Sequence, residues 1–248
     1  MLFFGTSELS VIVLEELKDS GFLPKVIICA EDKPVGRKMI ITPPPVKVWA
    51  ESHGIPVFQP RTLREEKNKE IELSMTEKIK NLVQECDIFV VASYGKIIPQ
   101  AILDIPRHGT LNVHPSLLPR LRGPSPIQSA ILIEEETGVS IMLLDAEMDH
   151  GPLVAQEKVD ITPWPPYAEE LESILAHRGG AMLAEIIPKW IKGEIQTVEQ
   201  DHNKATVCKK IKKIDGEVDL LSGNPYEIFR KVRAFSGWPG VYFFTDYN

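Results

Sequence analysis

Several common chemistries find no support in this sequence, and each gap narrows what the chain can be. It has only three cysteines, Cys29, Cys86 and Cys208, and no CxxC pair. That excludes a disulfide framework and a paired-cysteine metal site, and it points to reduced thiols in a cytoplasmic protein. No apolar run approaches the ~20 residues of a membrane span, so no membrane partner is expected. Glu8 follows the first apolar residues almost at once, so no signal peptide is expected either. There is no phosphate loop, and Gly5-Thr6-Ser7 has one glycine where a dinucleotide fingerprint needs three. No G-x-S-x-G elbow supports a hydrolase triad. His108, His114, Asp149 and His150 lack metal-ligand spacing, so no metal is expected. Cations are also few: 28 Lys and Arg stand against 35 Asp and Glu, for a net charge of -7. This excludes a surface that grips nucleic acid everywhere, while leaving room for a local basic patch.

What is present reads as a globular α/β protein. The chain of 248 residues exceeds one average domain of ~100–150 residues, so a large domain plus part of a second is expected. The apolar run at 1–4, the turn Gly5-Thr6-Ser7 and the apolar residues within 9–17 predict a buried strand and a helix capped by Thr6 or Ser7. Further strands are predicted at 25–30, 88–92, 109–113, 140–144 and 153–159, the last alternating like a half-exposed strand. Prolines 43–45 open a helix that stops near Gly54. Other helices are predicted at 65–85 (apolar Ile71, Ile79, Leu82, Val83), at 126–135, and at 167–192 with Pro188 near its end. The alternation implies a parallel sheet with right-handed crossovers. After Gly193 come the basic cluster 209–213, a short amphipathic helix at 225–235, the turn Trp238-Pro239-Gly240, and a strand beginning at Val241.

The richest chemistry lies in Asn112-Val113-His114-Pro115-Ser116-Leu117-Leu118-Pro119, followed by Arg122-Gly123. Asn112 and His114 are two apart, so on a strand their side chains share one face. A carboxamide beside an imidazole suits a carbonyl oxygen and its developing negative charge. Pro115 and Pro119 end the strand and force a loop, and loops at strand ends are where α/β sheets bind ligands. Met148-Asp149-His150-Gly151 then offers a carboxylate as partner for the imidazole. A strand-end histidine alone is often a hydrogen-bonded packing residue. The surrounding Ser-Leu-Leu-Pro loop, Arg-Gly turn and Asp-x-Gly turn favour a reaction centre. Taken alone, 209–213 reads as a solvated lysine face.

This string resembles the signature of folate-dependent formyltransferases. Within that family, other segments are similar to the branch that formylates methionyl initiator tRNA. They are Phe4-Gly5-Thr6, the stretch Asp32-Lys33-Pro34-Val35-Gly36-Arg37 with Pro45-Val46-Lys47-Val48, Pro56-Val57-Phe58-Gln59-Pro60, Pro126-Ile127-Gln128, Thr137-Gly138-Val139-Ser140 and Val232-Arg233-Ala234-Phe235. The resemblance implies a Rossmann-like parallel-sheet formyltransferase domain over 1–193, a linker at 194–205, and at 206–248 the opening of a C-terminal β-barrel domain, cut short. It implies 10-formyltetrahydrofolate as donor and methionyl initiator tRNA as acceptor; a monomer is expected. Asn112, a protonated His114 and Asp149 would be catalytic. Ser116, Leu117, Leu118 and Pro119 would pack the folate, with Tyr94, Gly95 and Asp145 at the pterin edge. Arg37, Lys38, Lys210 and Lys213 would meet tRNA phosphates. Departures include His150, where Thr or Ala is commoner, and an unusually apolar Met39-Ile40-Ile41.

Two alternatives stay open. The chain could formylate a small amine, such as an amino sugar or glycinamide ribonucleotide, and the stretch from Asp32 to Val48 argues against this because such an enzyme has no use for it. It could instead be an inactive folate- or tRNA-binding module, but a pure binder gains nothing from keeping Asn112, His114 and Asp149 together.

Overall fold

The structure is a computed structural model that describes residues 1–36, 38–64, 74–83, 86–133 and 136–245. In chain order its elements are β1 (Leu2–Gly5), α1 (Glu8–Asp19), β2 (Val26–Ile28), β3 (Lys33–Val35), β4 (Ile40–Thr42), α2 (Pro45–Ser52), β5 (Val57–Phe58), α3 (Met75–Leu82), β6 (Phe89–Ala92), α4 (Gln100–Leu103), β7 (Thr110–His114), α5 (Pro126–Ile133), β8 (Thr137–Leu143), β9 (Leu153–Val159), α6 (Ala168–Ile191) and α7 (Pro225–Ala234).

Seven strands form one sheet in the order β5-β2-β1-β6-β7-β8-β9. The first five are parallel, as expected for near-continuous apolar strands covered on both faces. The expectation of an all-parallel sheet is corrected at β8, which runs antiparallel to both β7 and β9. The stretch from Leu144 to Pro152 is too short for a crossover helix and must reverse the chain, which sets β9 antiparallel to β8. β8 is antiparallel to β7 although the connection between them carries α5, so connection length does not account for that pairing.

Alternation splits the apolar residues between two layers. Phe3, Ile27, Val90, Leu111 and Val113 face α1, α2, α5 and α6. Leu2, Phe4, Val26, Ile28, Phe89 and Val91 face the layer that contains Ile79 of α3 and Ile102 of α4. Helix α6 reaches the sheet closely through Gly179, where a Cβ would lie 2.5 Å from Val113 Cγ1. Its neighbour Gly180 abuts α1, where a Cβ would meet Glu16 Cβ at 2.6 Å.

Other expectations are refined. Ser7 is the N-cap of α1 but makes no side-chain capping bond; its hydroxyl instead pairs with that of Ser93 at 2.8 Å. Of the long helix expected over 65–85, the described residues show α3, opened by a Ser74–Glu77 capping box; residues 65–73, Ile71 among them, and 84–85 lie outside the described residues. The stretch after Asp32 forms the β3–β4 hairpin. The strand expected from Val241 is a single bridge, Glu217 to Tyr242. The stretch 194–205, expected as a linker, is pinned to β9 by reciprocal backbone bonds of 2.8 Å between Leu153 and Val198. Helix α7, capped by Asn224 and opened by Pro225 at N1, places Ala234 and Phe235 in the same core as α6.

Because α6 is wedged between sheet and α1, Gly180→Ala is expected to destabilise the protein by ~1–3 kcal/mol. At this size that corresponds to a Tm loss of roughly 2–12 °C in thermal unfolding. An unchanged Tm would show that the α1–α6 contact can give.

Candidate active site

The strand order reverses between β1 and β6, the place where open α/β sheets bind ligands. The turns after these strands are tied together there. Ser10 Oγ donates to the Ala92 carbonyl at 2.6 Å, and Thr6 Oγ1 donates to the Tyr94 carbonyl at 3.2 Å. Beside them opens a cleft of about 560 Å³. Its inner wall carries Asn112 and His114, both buried, and Asp149. Since Leu111 and Val113 point into the α6 layer, the period of a strand turns Asn112 and His114 the other way.

His114 is held through one ring nitrogen and turns the other toward Asp149. Nε2 lies 2.9 Å from the Leu121 carbonyl oxygen, which can only accept, so Nε2 carries a hydrogen. Nδ1 therefore faces Asp149, at 3.7 Å from Oδ1. The other carboxylate oxygen of Asp149 accepts the Gly123 N–H at 2.7 Å.

Asp149 reaches this place by an indirect route. β8 leaves the sheet at Leu143, opposite Leu111, and β9 re-enters at Leu153, opposite Met142. The intervening loop must therefore fold back across the face bearing Asn112 to bring Asp149 to His114. Asp149 adopts a left-handed backbone with φ 49°, which costs about 1–2 kcal/mol for a residue other than glycine. The loop is braced from the C-terminal side. Gln200 Nε2 donates to the carbonyls of Asp149 (3.0 Å) and Gly151 (2.7 Å), and Gln200 Oε1 accepts from Arg122. His150 Nδ1 pairs with Asp145 Oδ2 at 2.8 Å and stacks on His202 with ring centroids 4.1 Å apart.

The structure thus brings Asn112, His114 and Asp149 together, with Tyr94, Gly95 and Asp145 on the walls of the same cleft. Ser116, Leu117, Leu118 and Pro119 do not line it. Their loop is drawn toward β8 instead: the Leu118 N–H donates to Ser140 Oγ, Ser140 Oγ donates to the Ser116 carbonyl, and Gln156 Nε2 donates to the Leu118 carbonyl. These bonds fix the loop against β8 and β9. Lys38, in the β3–β4 turn, and Lys210 and Lys213 are exposed, whereas Arg37 lies outside the described residues. Among the described residues no cluster of three His, Cys, Asp or Glu could hold a metal. Sequence reasoning missed Gln200, His202 and Glu172. Glu172 lines the cleft from α6, and nothing in its local sequence marks it.

Asn112, His114 and Asp149 thus meet at the carboxyl end of β7, one strand along from the switch point, in a sheet with an antiparallel flank. The family model described as "Formyl transferase" matches residues 1–187, and that described as "Formyl transferase, C-terminal domain" matches 210–248. The chain belongs to this family, and within it to the methionyl-tRNA formyltransferases. It is 43% identical to the methionyl-tRNA formyltransferase of Chloroflexus aurantiacus over 98% of this chain and 76% of that one. Against the methionyl-tRNA formyltransferase of Halalkalibacterium halodurans it is 39% identical, covering 98% and 73%. Among solved structures, a 4-N formyltransferase from Francisella tularensis shares the fold, with TM-score 0.71 and 16% identity over 99% of this chain and 92% of that one. Phosphoribosylglycinamide formyltransferase from Bacillus halodurans does so over 76% and 95%, with TM-score 0.57 and 24% identity.

Burial raises the pKa of Glu172 above the ordinary carboxylate value; the Leu9 N–H opposes this, and nearby Glu169 and Glu8 add to it. A carboxyl with a raised folded-state pKa favours folding below its unfolded pKa and loses that advantage as pH rises through the folded value. Glu172→Gln keeps an acceptor for Leu9 and removes the charge. Its Tm is expected to exceed the wild type at about pH 7, with the difference closing near pH 4. An equal gain at both pH values would sink this account.

Proposed function

We propose that the chain transfers the formyl group of 10-formyltetrahydrofolate to the α-amino group of methionyl initiator tRNA, in the cytoplasm. The observation that carries this reading is the convergence of Asn112, His114 and Asp149 on one cleft wall. The free amine attacks the formyl carbon, forming a C–N bond and a tetrahedral oxyanion. Asn112 donates its amide N–H to that oxygen. His114, with Nε2 anchored on Leu121, presents Nδ1–H to the same side when protonated. Asp149 supplies the imidazolium's counter-charge and takes up the amine proton through a bound water. As the C–N bond to the folate collapses, the proton passes to the leaving nitrogen. No covalent enzyme intermediate is needed.

The cleft suits a folate-sized donor by its chemistry. Val91, Ile98, Leu103 and Leu144 form apolar wall, while Asp145 and the backbone around Gly95 offer polar groups for a heterocycle edge. The hairpin β3–β4 projects Val35, Met39, Ile40 and Ile41 into solvent beside Lys38. A small-amine enzyme has no use for such a projection. A macromolecular acceptor does, with Lys38, Lys210 and Lys213 available to its phosphates.

A formylation assay with 10-formyltetrahydrofolate, comparing charged initiator tRNA with an amino-sugar nucleotide and with glycinamide ribonucleotide, tests this directly. Turnover on tRNA alone is expected. Turnover only on a small amine, or on nothing, would replace this reading. Asn112→Ala should lower kcat by ~10²–10³ with folate affinity little changed, and Asp149→Asn should slow turnover comparably. Near wild-type rates at saturating substrate would remove them from the chemistry. Lys38→Ala should raise KM for charged tRNA by roughly a few-fold at unchanged kcat, and a loss confined to kcat would contradict its assigned role.

A further inference from the structure

Gln200 is 4% exposed and lies in the stretch that leads away from the catalytic sheet. Its Nε2 gives both hydrogens to carbonyls of the catalytic turn, Asp149 at 3.0 Å and Gly151 at 2.7 Å. Its Oε1 takes two donors from one guanidinium, Arg122 Nε at 3.1 Å and Nη2 at 2.6 Å. All four hydrogen-bonding positions of the carboxamide are therefore used. The chemistry also fixes its orientation, since carbonyls on one side only accept and a guanidinium on the other only donates. Arg122 is itself buried, and its Nη2 also donates to His202 Nδ1 at 2.9 Å. Its backbone is stitched to the same stretch: its N–H donates to the Thr206 carbonyl at 2.9 Å, and its carbonyl accepts the Cys208 N–H at 2.8 Å. The next residue, Gly123, donates its N–H to Asp149 Oδ2. Asp149 is thus gripped by its carboxylate from the turn after β7, and by its carbonyl from Gln200.

We propose that Gln200, oriented by Arg122, is a positioning residue for formyl transfer: it locks the left-handed Asp149 turn so that the carboxylate faces His114 Nδ1. The stretch 194–205 is then part of the active site and not a tether. The inference rests on the catalytic reading of Asp149. A purely structural Gln200 would act through its bond to Arg122, whereas a positioning Gln200 acts through its two N–H donors. Gln200→Glu separates the two roles, because glutamate keeps the size and the acceptor for Arg122 but offers no donor to Asp149 or Gly151.

The test measures kcat, KM for 10-formyltetrahydrofolate and for charged tRNA, the pH–rate profile and Tm for Gln200→Glu, Gln200→Ala, Asp149→Asn and the double variant Asp149→Asn/Gln200→Glu. Gln200→Glu is expected to fold, to lose ~10²-fold in kcat with little change in either KM, and to show a displaced pH–rate profile. In the double variant its effect should largely vanish, because Asp149 no longer needs placing. Gln200→Glu with kcat within about twofold of wild type and an unmoved pH profile would overturn the proposal, as would strictly multiplicative losses in the double variant. Full turnover by Asp149→Asn alone would instead remove the catalytic reading, and with it the residue that Gln200 is said to position. Gln200→Ala losing kcat while Gln200→Glu keeps it would assign Gln200 to structure only.

Discussion

The burial of Leu111 and Val113 against α6 is the constraint from which the site follows. Two apolar side chains in a five-residue strand choose its face, and Gly179 lets the helix come close enough to hold that choice. A slip of one residue in register would turn Asn112 and His114 into the α6 layer and the apolar pair toward the cleft. The chemistry is thus secured by hydrophobic burial, worth roughly 1.5–3 kcal/mol per large side chain, and not by the polar contacts of the site. Those contacts then set fine geometry: Leu121 fixes the imidazole, and Gly123 fixes the carboxylate.

A second layer of order comes from the change in strand direction at β8. In a uniformly parallel sheet the loop after β8 would emerge beyond the carboxyl end of β7. Here it starts level with Leu111 and has to climb back over Asn112. This folded-back loop is simultaneously a wall of the cleft, through Asp145 and Met148, and the carrier of Asp149. One short segment therefore shapes the binding space and delivers a reacting group, which leaves it little freedom. The left-handed backbone at Asp149 reflects that lack of freedom.

Much of this was legible in the sequence because it depends on local pattern. The apolar runs around Val90 and Leu111, proline at the start of α2 and α7, and the two-residue spacing of Asn112 and His114 each carry a period or a cap that can be read without neighbours. Strand direction was not legible, since apolar content does not encode it. The anchoring of the Ser-Leu-Leu-Pro loop was not legible for a related reason. Its backbone is held by Ser140 and Gln156, both on other strands, and nothing local in the loop marks that. Gln200 was invisible because a glutamine in a polar stretch carries no periodic signal, and its importance comes from what lies 78 residues away at Arg122. Glu172 sits in a helix full of charged residues, and only packing distinguishes it from its solvated neighbours.

The guanidinium of Arg122 finds its side-chain partners, among the described residues, in Gln200 and His202. The sheet itself is complete once β9 has been made, at Val159. Between these two points of synthesis a nascent chain holds the strands of the sheet while Arg122 is still solvated, because Gln200, His202, Thr206 and Cys208, which pack against it, have yet to be made. The turn carrying Asp149 gains its last two restraints only when residue 200 has emerged. The protein's order of assembly therefore separates the acquisition of shape from the acquisition of chemistry, and a ribosome-bound intermediate would have the first without the second.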